Sequence, residues 1–286
     1  MAHLLTSVQD MYGELMRNAD PRVDGWFMMS TPWPSLVICL LYLAFVKMGP
    51  TIMADRKPVD LKKVLLVYNI GMVGLSTYCF LEFNFAGWLA GYSLGCQPVD
   101  YSRSPQALRM LNVCWWFYFS KFIELLDTIF FIMRKKFNQV SFLHVFHHAI
   151  MPFSWWFGVK FVAGGFGTFH SMLNSFIHLV MYTYYGLAAL GPQYQKYLWW
   201  KKYMTSMQII QFILVTIHSV QLLFIDCNYP KFFVYLIGLY AVVFMVMFAN
   251  FYVQTYKKSK PKSNGTVTNG TVTNRNVSNG MKHKQS

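Results

Sequence analysis

Acidic side chains are scarce in this chain. Among 286 residues there are 11 Asp and Glu against 25 Lys and Arg, and charged residues of every kind make up only 13%. That is about half the share found in soluble domains, too little polar surface for a fold that lives in water. A removable signal peptide is also missing. The stretch from Met1 to Trp33 is mixed and polar, without a charged-then-apolar leader and a small-residue cleavage site, so the first membrane span is expected to direct its own insertion. No G-x-G-x-x-G follows a predicted strand, which argues against a dinucleotide-dependent reduction. The net charge of +14 is spread out with no basic domain or stacking platform behind it, so a nucleic-acid partner is not expected.

What is present is apolar: 55% hydrophobic and 19% aromatic residues. Long apolar runs lie at roughly 35–53, 64–84, 111–133, 140–157, 168–190, 204–225 and 232–255, each near the ~20 residues a bilayer requires. The fold class read from them is an all-α integral membrane protein with seven transmembrane helices. Residues 1–33 form an N-terminal lumenal segment, 34–256 the seven-helix domain, and 257–286 a basic tail without apolar periodicity, expected to be disordered. Seventeen Lys and Arg fall in the loops after spans one, three and five and in the tail, against six on the other side. The positive-inside rule therefore puts the N-terminus in the lumen and the C-terminus in the cytoplasm. A basic cytoplasmic face attracts anions, either lipid headgroups or a phosphorylated cofactor.

Of five cysteines, Cys39, Cys79 and Cys114 fall inside spans and read as small hydrophobes. Cys96 and Cys227 share the lumenal side, where a disulfide between them is expected; two unrelated free thiols are the alternative that sequence leaves open. Asn264, Asn269 and Asn276 open glycosylation sequons, which a cytoplasmic tail would leave bare. Lys282 and Lys284, fifth and third from the end, resemble a dilysine signal for return to the endoplasmic reticulum; a merely basic tail is the competing reading.

Polar residues inside membrane helices are costly and mark functional candidates. Span three carries Lys121, Glu124, Asp127 and Thr128, span four His144, His147 and His148, span five Asn174, His178, Tyr182 and Tyr185, and span six Thr205, Gln208 and Gln211. Steps of three and four residues place each set on one helix face. Each alone has an ordinary explanation in helix packing or an interfacial belt. Counted at ~1.5 Å per residue, however, Asp127, His147 and Gln208 all lie roughly 10 Å from the cytoplasmic helix ends, with Glu124, His178 and Gln211 somewhat deeper. Four helices thus place polar groups in one layer. Two chemistries suit His-x-x-His-His. Di-iron membrane oxygenases use such boxes but need about eight histidine ligands, whereas the spans and their edges hold only His144, His147, His148, His170, His178 and His218. Nucleophilic and acid–base catalysis by neutral imidazole needs fewer.

At these positions the chain resembles the elongation-of-very-long-chain-fatty-acids family, the condensing enzymes of microsomal elongation. Lys121-Phe-Ile-Glu124-Leu-Leu-Asp127 is similar to its K-x-x-E-x-x-D, His144-Val-Phe-His147-His148 to its histidine box, Asn174 to Tyr185 to its N-x-x-x-H-x-x-M-Y-x-Y-Y, and Thr205 to Gln211 to its T-x-x-Q-x-x-Q. The resemblance implies six helices forming an inverted barrel around an acyl tunnel, closed at the lumenal side. It implies a ping-pong condensation of acyl-CoA with malonyl-CoA, in which His147 carries the acyl group as an acyl-imidazole and His178 is an acid/base or second anchoring group. His144 and His148 complete the catalytic set, and Lys201 and Lys202 join Lys121, Glu124, Asp127, Asn174, Tyr182, Tyr185, Gln208 and Gln211 as substrate-binding candidates. No cofactor and no metal is implied beyond the two CoA substrates. The partners are those substrates and membrane lipid, with a homodimer and other enzymes of the elongation cycle as further candidates. The alternatives are a metal-dependent membrane oxidoreductase and a seven-helix receptor or transporter.

Overall fold

Serine caps and prolines in first turns set where the helices begin. Ser104 accepts the amide of Ala107 (3.2 Å) ahead of Pro105, and Ser141 accepts the amide of His144 (3.3 Å); both satisfy a helix-end donor that would otherwise be orphaned. The computed structural model describes residue 10 and residues 12–257. The sequons at Asn264, Asn269 and Asn276 and the lysines at 282 and 284 lie outside the described residues. The long elements are α1 (Trp33–Ile52), α2 (Lys62–Phe83, extended by a π-turn over Asn84–Trp88), α3 (Pro105–Ile123), α4 (Leu125–Met133), α5 (Phe142–Val162), α6 (Thr168–Leu190), α7 (Lys201–Gln221) and α8 (Lys231–Tyr252, continued by a π-turn over Val253–Lys257). Among the described residues there is no strand.

Four of these helices, α1, α2, α7 and α8, are long and apolar enough to cross a membrane. Their outward faces show why: Leu41 is 64% exposed, Val67 72% and Ile217 63%. Large aliphatic side chains displayed in such numbers belong against lipid, and the protein is an integral membrane protein. Helices α3 to α6 carry most of the buried ionisable residues. Helix α2 packs chiefly on α6, α7 on α8, and α1 on α5 and α4.

Sequence reading takes 111–133 as one helix, whereas the structure starts it six residues earlier at Pro105 and breaks it at Glu124. Ser120 supplies the reason. Its hydroxyl bonds back to the Phe117 carbonyl (2.7 Å), and the Asp127 amide reaches the Glu124 carbonyl three residues back (3.1 Å), a tightened turn of the kind that serine back-bonding favours.

The two ends of the bundle differ. At one end Cys96 is bonded to Cys227, and the loops around them interlock. Arg22 forks onto Asp20 (2.6 Å) and donates to the carbonyls of Asp100 and Ser102. Tyr101 donates to the Phe161 carbonyl (2.8 Å), the Phe166 amide to that of Gln97 (2.8 Å), and Gln221 to that of Leu94 (2.6 Å). Part of the N-terminal segment is built into this cap: Val23 and Met29 are fully buried, and Lys160 pairs with Asp24 (2.5 Å). At the other end the loops at 53–61, 134–141 and 191–200 carry lysines, and among the described residues none of the lysines there pairs with an acid. Cys39, Cys79 and Cys114 are free and buried.

Candidate active site

The broken helix is where the site begins. Beside the break, Lys121 and Glu124 form an ion pair (2.7 Å) in which the side chains are 3% and 1% exposed. Losing either partner would strand a buried charge, at a cost of about 3–5 kcal/mol. Helix α6 completes the pair from the opposite wall. Asn174 accepts a second hydrogen bond from Lys121 (3.2 Å), and His178 Nδ1 lies 3.2 Å from the same Glu124 oxygen. The carboxylate can only accept, so a neutral His178 turned toward it carries its proton on Nδ1 and its lone pair on Nε2.

One turn further on, Asp127 accepts from the Tyr182 hydroxyl (2.8 Å), and Tyr68 of α2 packs edge-on against the Tyr182 ring (5.9 Å between centroids). Thr128 bonds His144 Nε2 (2.7 Å) and the hydroxyl of Tyr42 from α1 (2.9 Å). The His148 ring lies beside both His144 (4.3 Å) and His147 (5.2 Å), and His147 meets the edge of Phe244 (5.2 Å). Pro152, one turn after His148, has no amide to give, so the His148 carbonyl loses its helical donor.

Two cavities open from this layer. The larger has an empty volume of about 930 Å³ and is lined by His147, Lys121 and Asn174 at the polar layer, then by Met151, Trp155, Phe212 and Phe244, and finally by Val162, Gly167, Tyr229 and Phe233 near the cap. Gly167 is required at the deep end, because a Cβ there would collide with the Tyr229 hydroxyl. The smaller cavity, about 190 Å³, lies among Ser76, Cys79, Ser120, Ser175, Glu124 and His178, with Lys121 shared between the two.

Of the residues singled out in sequence, His147, Lys121 and Asn174 meet at the large cavity, and Glu124 and His178 at the small one. His144 and His148 stand behind His147. Asp127 and Tyr182 form a separate buried group facing α2, with half-buried Tyr185 beside them. Gln208 donates to the Met181 sulfur (3.9 Å), and Gln211 is 3% exposed with its amide nitrogen unpartnered among the described residues. Lys201 and Lys202 are exposed at the N-terminus of α7, where the helix dipole adds to their positive charge. Sequence reasoning missed Tyr42 and Tyr68 as members of the layer. A single tyrosine in an apolar run carries no periodic signal, and only the packing of α1 and α2 brings them in. Trp155 and His170, whose rings stack 5.5 Å apart on the chamber wall, were legible only as an aromatic and a stray histidine. Among the described residues, no three His, Cys, Asp or Glu side chains converge as a metal-holding group.

The fold and the site define a helical membrane protein whose buried histidines and ion pair sit at the head of a long, mostly apolar chamber. The ELO: GNS1/SUR4 family matches residues 27–264, and the chain belongs to that family. It is 54% identical over 252 residues to very long chain fatty acid elongase 7 of Rattus norvegicus, covering 87% of this chain and 90% of that one. It is 51% identical over 259 residues to very long chain fatty acid elongase 1 of Homo sapiens, covering 90% and 93%. With very long chain fatty acid elongase 4 of Homo sapiens the identity is 50% over 250 residues, covering 87% and 80%.

Proposed function

We propose that this protein elongates fatty acids by condensing an acyl-CoA with malonyl-CoA to give a 3-ketoacyl-CoA, CO2 and free CoA. The observation that carries the reading is the position of His147: it is the member of the histidine box that lines the large cavity. Its imidazole attacks the thioester carbon, the carbon–sulfur bond breaks, and CoA leaves as a thiol carrying the imidazole proton. Malonyl-CoA then loses CO2, and the resulting carbanion takes the acyl group from the acyl-imidazole. The departing imidazolide takes up one proton from solvent, which regenerates His147 and completes the balance. His178, held by Glu124 with Nε2 free, is assigned the proton handling; the Lys121–Glu124 pair shapes the site around the reacting carbons.

The chamber supports this reading, since an alkyl chain needs an apolar sleeve below the reacting carbon. We assign all of α1, α2, α3–α4, α5, α6, α7 and α8 to seven membrane spans. Helices α2 to α8 form a six-span barrel around the chamber, with α1 packed outside. The lysine-rich end faces the cytoplasm and the cap the lumen of the endoplasmic reticulum. Lys201 and Lys202, at a helix N-terminus, then hold coenzyme phosphates. The test is malonyl-CoA incorporation by purified protein over a series of acyl-CoAs, with mass spectrometry of the trapped enzyme. A 3-ketoacyl product and an acyl adduct on His147 are expected; full turnover by His147→Ala overturns the mechanism.

A further inference from the structure

We infer that Tyr42 and Thr128 form a one-way hydrogen-bond chain that fixes His144 as its Nδ1–H tautomer and makes it a positioning residue instead of a nucleophile. The inference rests on reading the histidine box as the reactive centre. It starts from the Tyr42 hydroxyl, which comes from α1, is 5% exposed, and bonds Thr128 Oγ1 (2.9 Å) and no other group among the described residues. A buried O–H left undonated is costly, so Tyr42 donates and Thr128 accepts. Thr128, itself fully buried, has one proton of its own. That proton goes to the remaining partner, His144 Nε2, 2.7 Å away.

An Nε2 that accepts must be unprotonated, so the proton of neutral His144 sits on Nδ1. In the reverse direction, with Nε2–H donating to Thr128, either the Tyr42 proton or the Thr128 proton would be left with nothing to bond. The lone pair that could attack a thioester is thereby engaged on His144, while His147 faces the chamber. The locked ring also braces its neighbours. His144 lies against Phe131 (5.3 Å between centroids) and His148 (4.3 Å), and His148 against His147 (5.2 Å). A hydroxyl on α1, a helix that contributes nothing to the chamber lining, thus reaches the reactive histidine through Thr128, His144 and His148.

The test is nitrogen NMR of the full-length protein labelled at histidine and held in lipid nanodiscs, with His144→Gln used to assign the signal. The wild type is expected to show a protonated Nδ1 and a bare Nε2 on His144. Tyr42→Phe, which removes only the donor, and Thr128→Val, which keeps the side-chain shape, are each expected to give a mixture of tautomers; Thr128→Ser retains the wild-type signal. In Tyr42→Phe, kcat falls about tenfold while KM for acyl-CoA stays within about twofold. A protonated Nε2 in the wild type, or an unchanged signal in both Tyr42→Phe and Thr128→Val, overturns the chain. A mixed signal with unchanged kcat overturns the positioning role. An intact Nδ1–H signal in a wild type that elongates no acyl-CoA upholds the chain and overturns the elongation reading instead.

Discussion

The cap and the lysine-rich end close the same bundle by opposite means. At the cap, loops far apart in sequence are joined by the Cys96–Cys227 bond, by the buried Arg22–Asp20 pair and by backbone bonds such as Phe166 to Gln97. At the lysine-rich end the ties across loops are few: the Val59 amide to the Met133 carbonyl (3.0 Å) and Lys135 to the Ala54 carbonyl (2.8 Å). Dense cross-linking raises the free energy of local opening, and sparse contact lowers it. One end is therefore tied tightly and the other loosely. The polar layer lies between them, at the head of the chamber that ends at the cap.

The comparison yields expected outcomes in descending order. His147→Ala, at the boundary between the two regions, should cut turnover more than about a hundredfold in malonyl-CoA incorporation while expression persists. Cys96→Ser removes a cross-link spanning 131 residues of sequence; on the chain-entropy argument it should lower stability by ~5 kcal/mol, read as an earlier unfolding transition in detergent. Gly165→Ala should cost about 2 kcal/mol in the same experiment, since Gly165 has φ +62° and a Cβ there would lie 2.7 Å from the carbonyl oxygens of Gln97 and Pro98. Lys201→Ala with Lys202→Ala should raise KM for acyl-CoA and flatten its salt dependence, with stability changed by less than about 0.5 kcal/mol. If that double variant destabilised the protein as Cys96→Ser does, the contrast between the ends would be wrong.

The smallest effect concerns acid. Asp100, in the exposed cap loop, accepts from the side chain and the amide of Ser102 (2.8 Å to the amide), which holds its carboxyl below the ordinary value of 3.8. A lowered carboxyl pKa contributes stability that is present above 3.8 and is lost as pH falls through the folded value. Protonation of Asp100 should therefore weaken this loop of the cap. Asp100→Asn should lessen the fall in unfolding temperature below that pH, and an identical acid profile in the variant would remove Asp100 from the account.

Much of the site could be read in advance because helical spacing needs no partner to be informative. His144, His147 and His148 share a face by their i, i+3 and i+4 steps, and Asn174 and His178 by theirs. The break at Glu124 was invisible, since Ser120 back-bonding leaves the apolar pattern of 111–133 intact. The burial of Val23 and Met29 in the cap was equally hidden, because a short mixed segment has no period to detect.

By itself the sequence determined that this protein is helical, membrane-embedded and asymmetric in charge, and that the polar residues of its inner spans share a helix face span by span. These follow from run length, composition and periodicity, all properties of one helix at a time. Only the tertiary structure decided that Lys121 reaches Asn174, that Asp127 takes Tyr182, that Tyr42 meets Thr128, and that His147 opens on the chamber while His178 lines the smaller cavity. Periodicity fixes which residues share a face, but the direction that face points depends on how the helix is rotated against its neighbours, which is set by packing across the bundle.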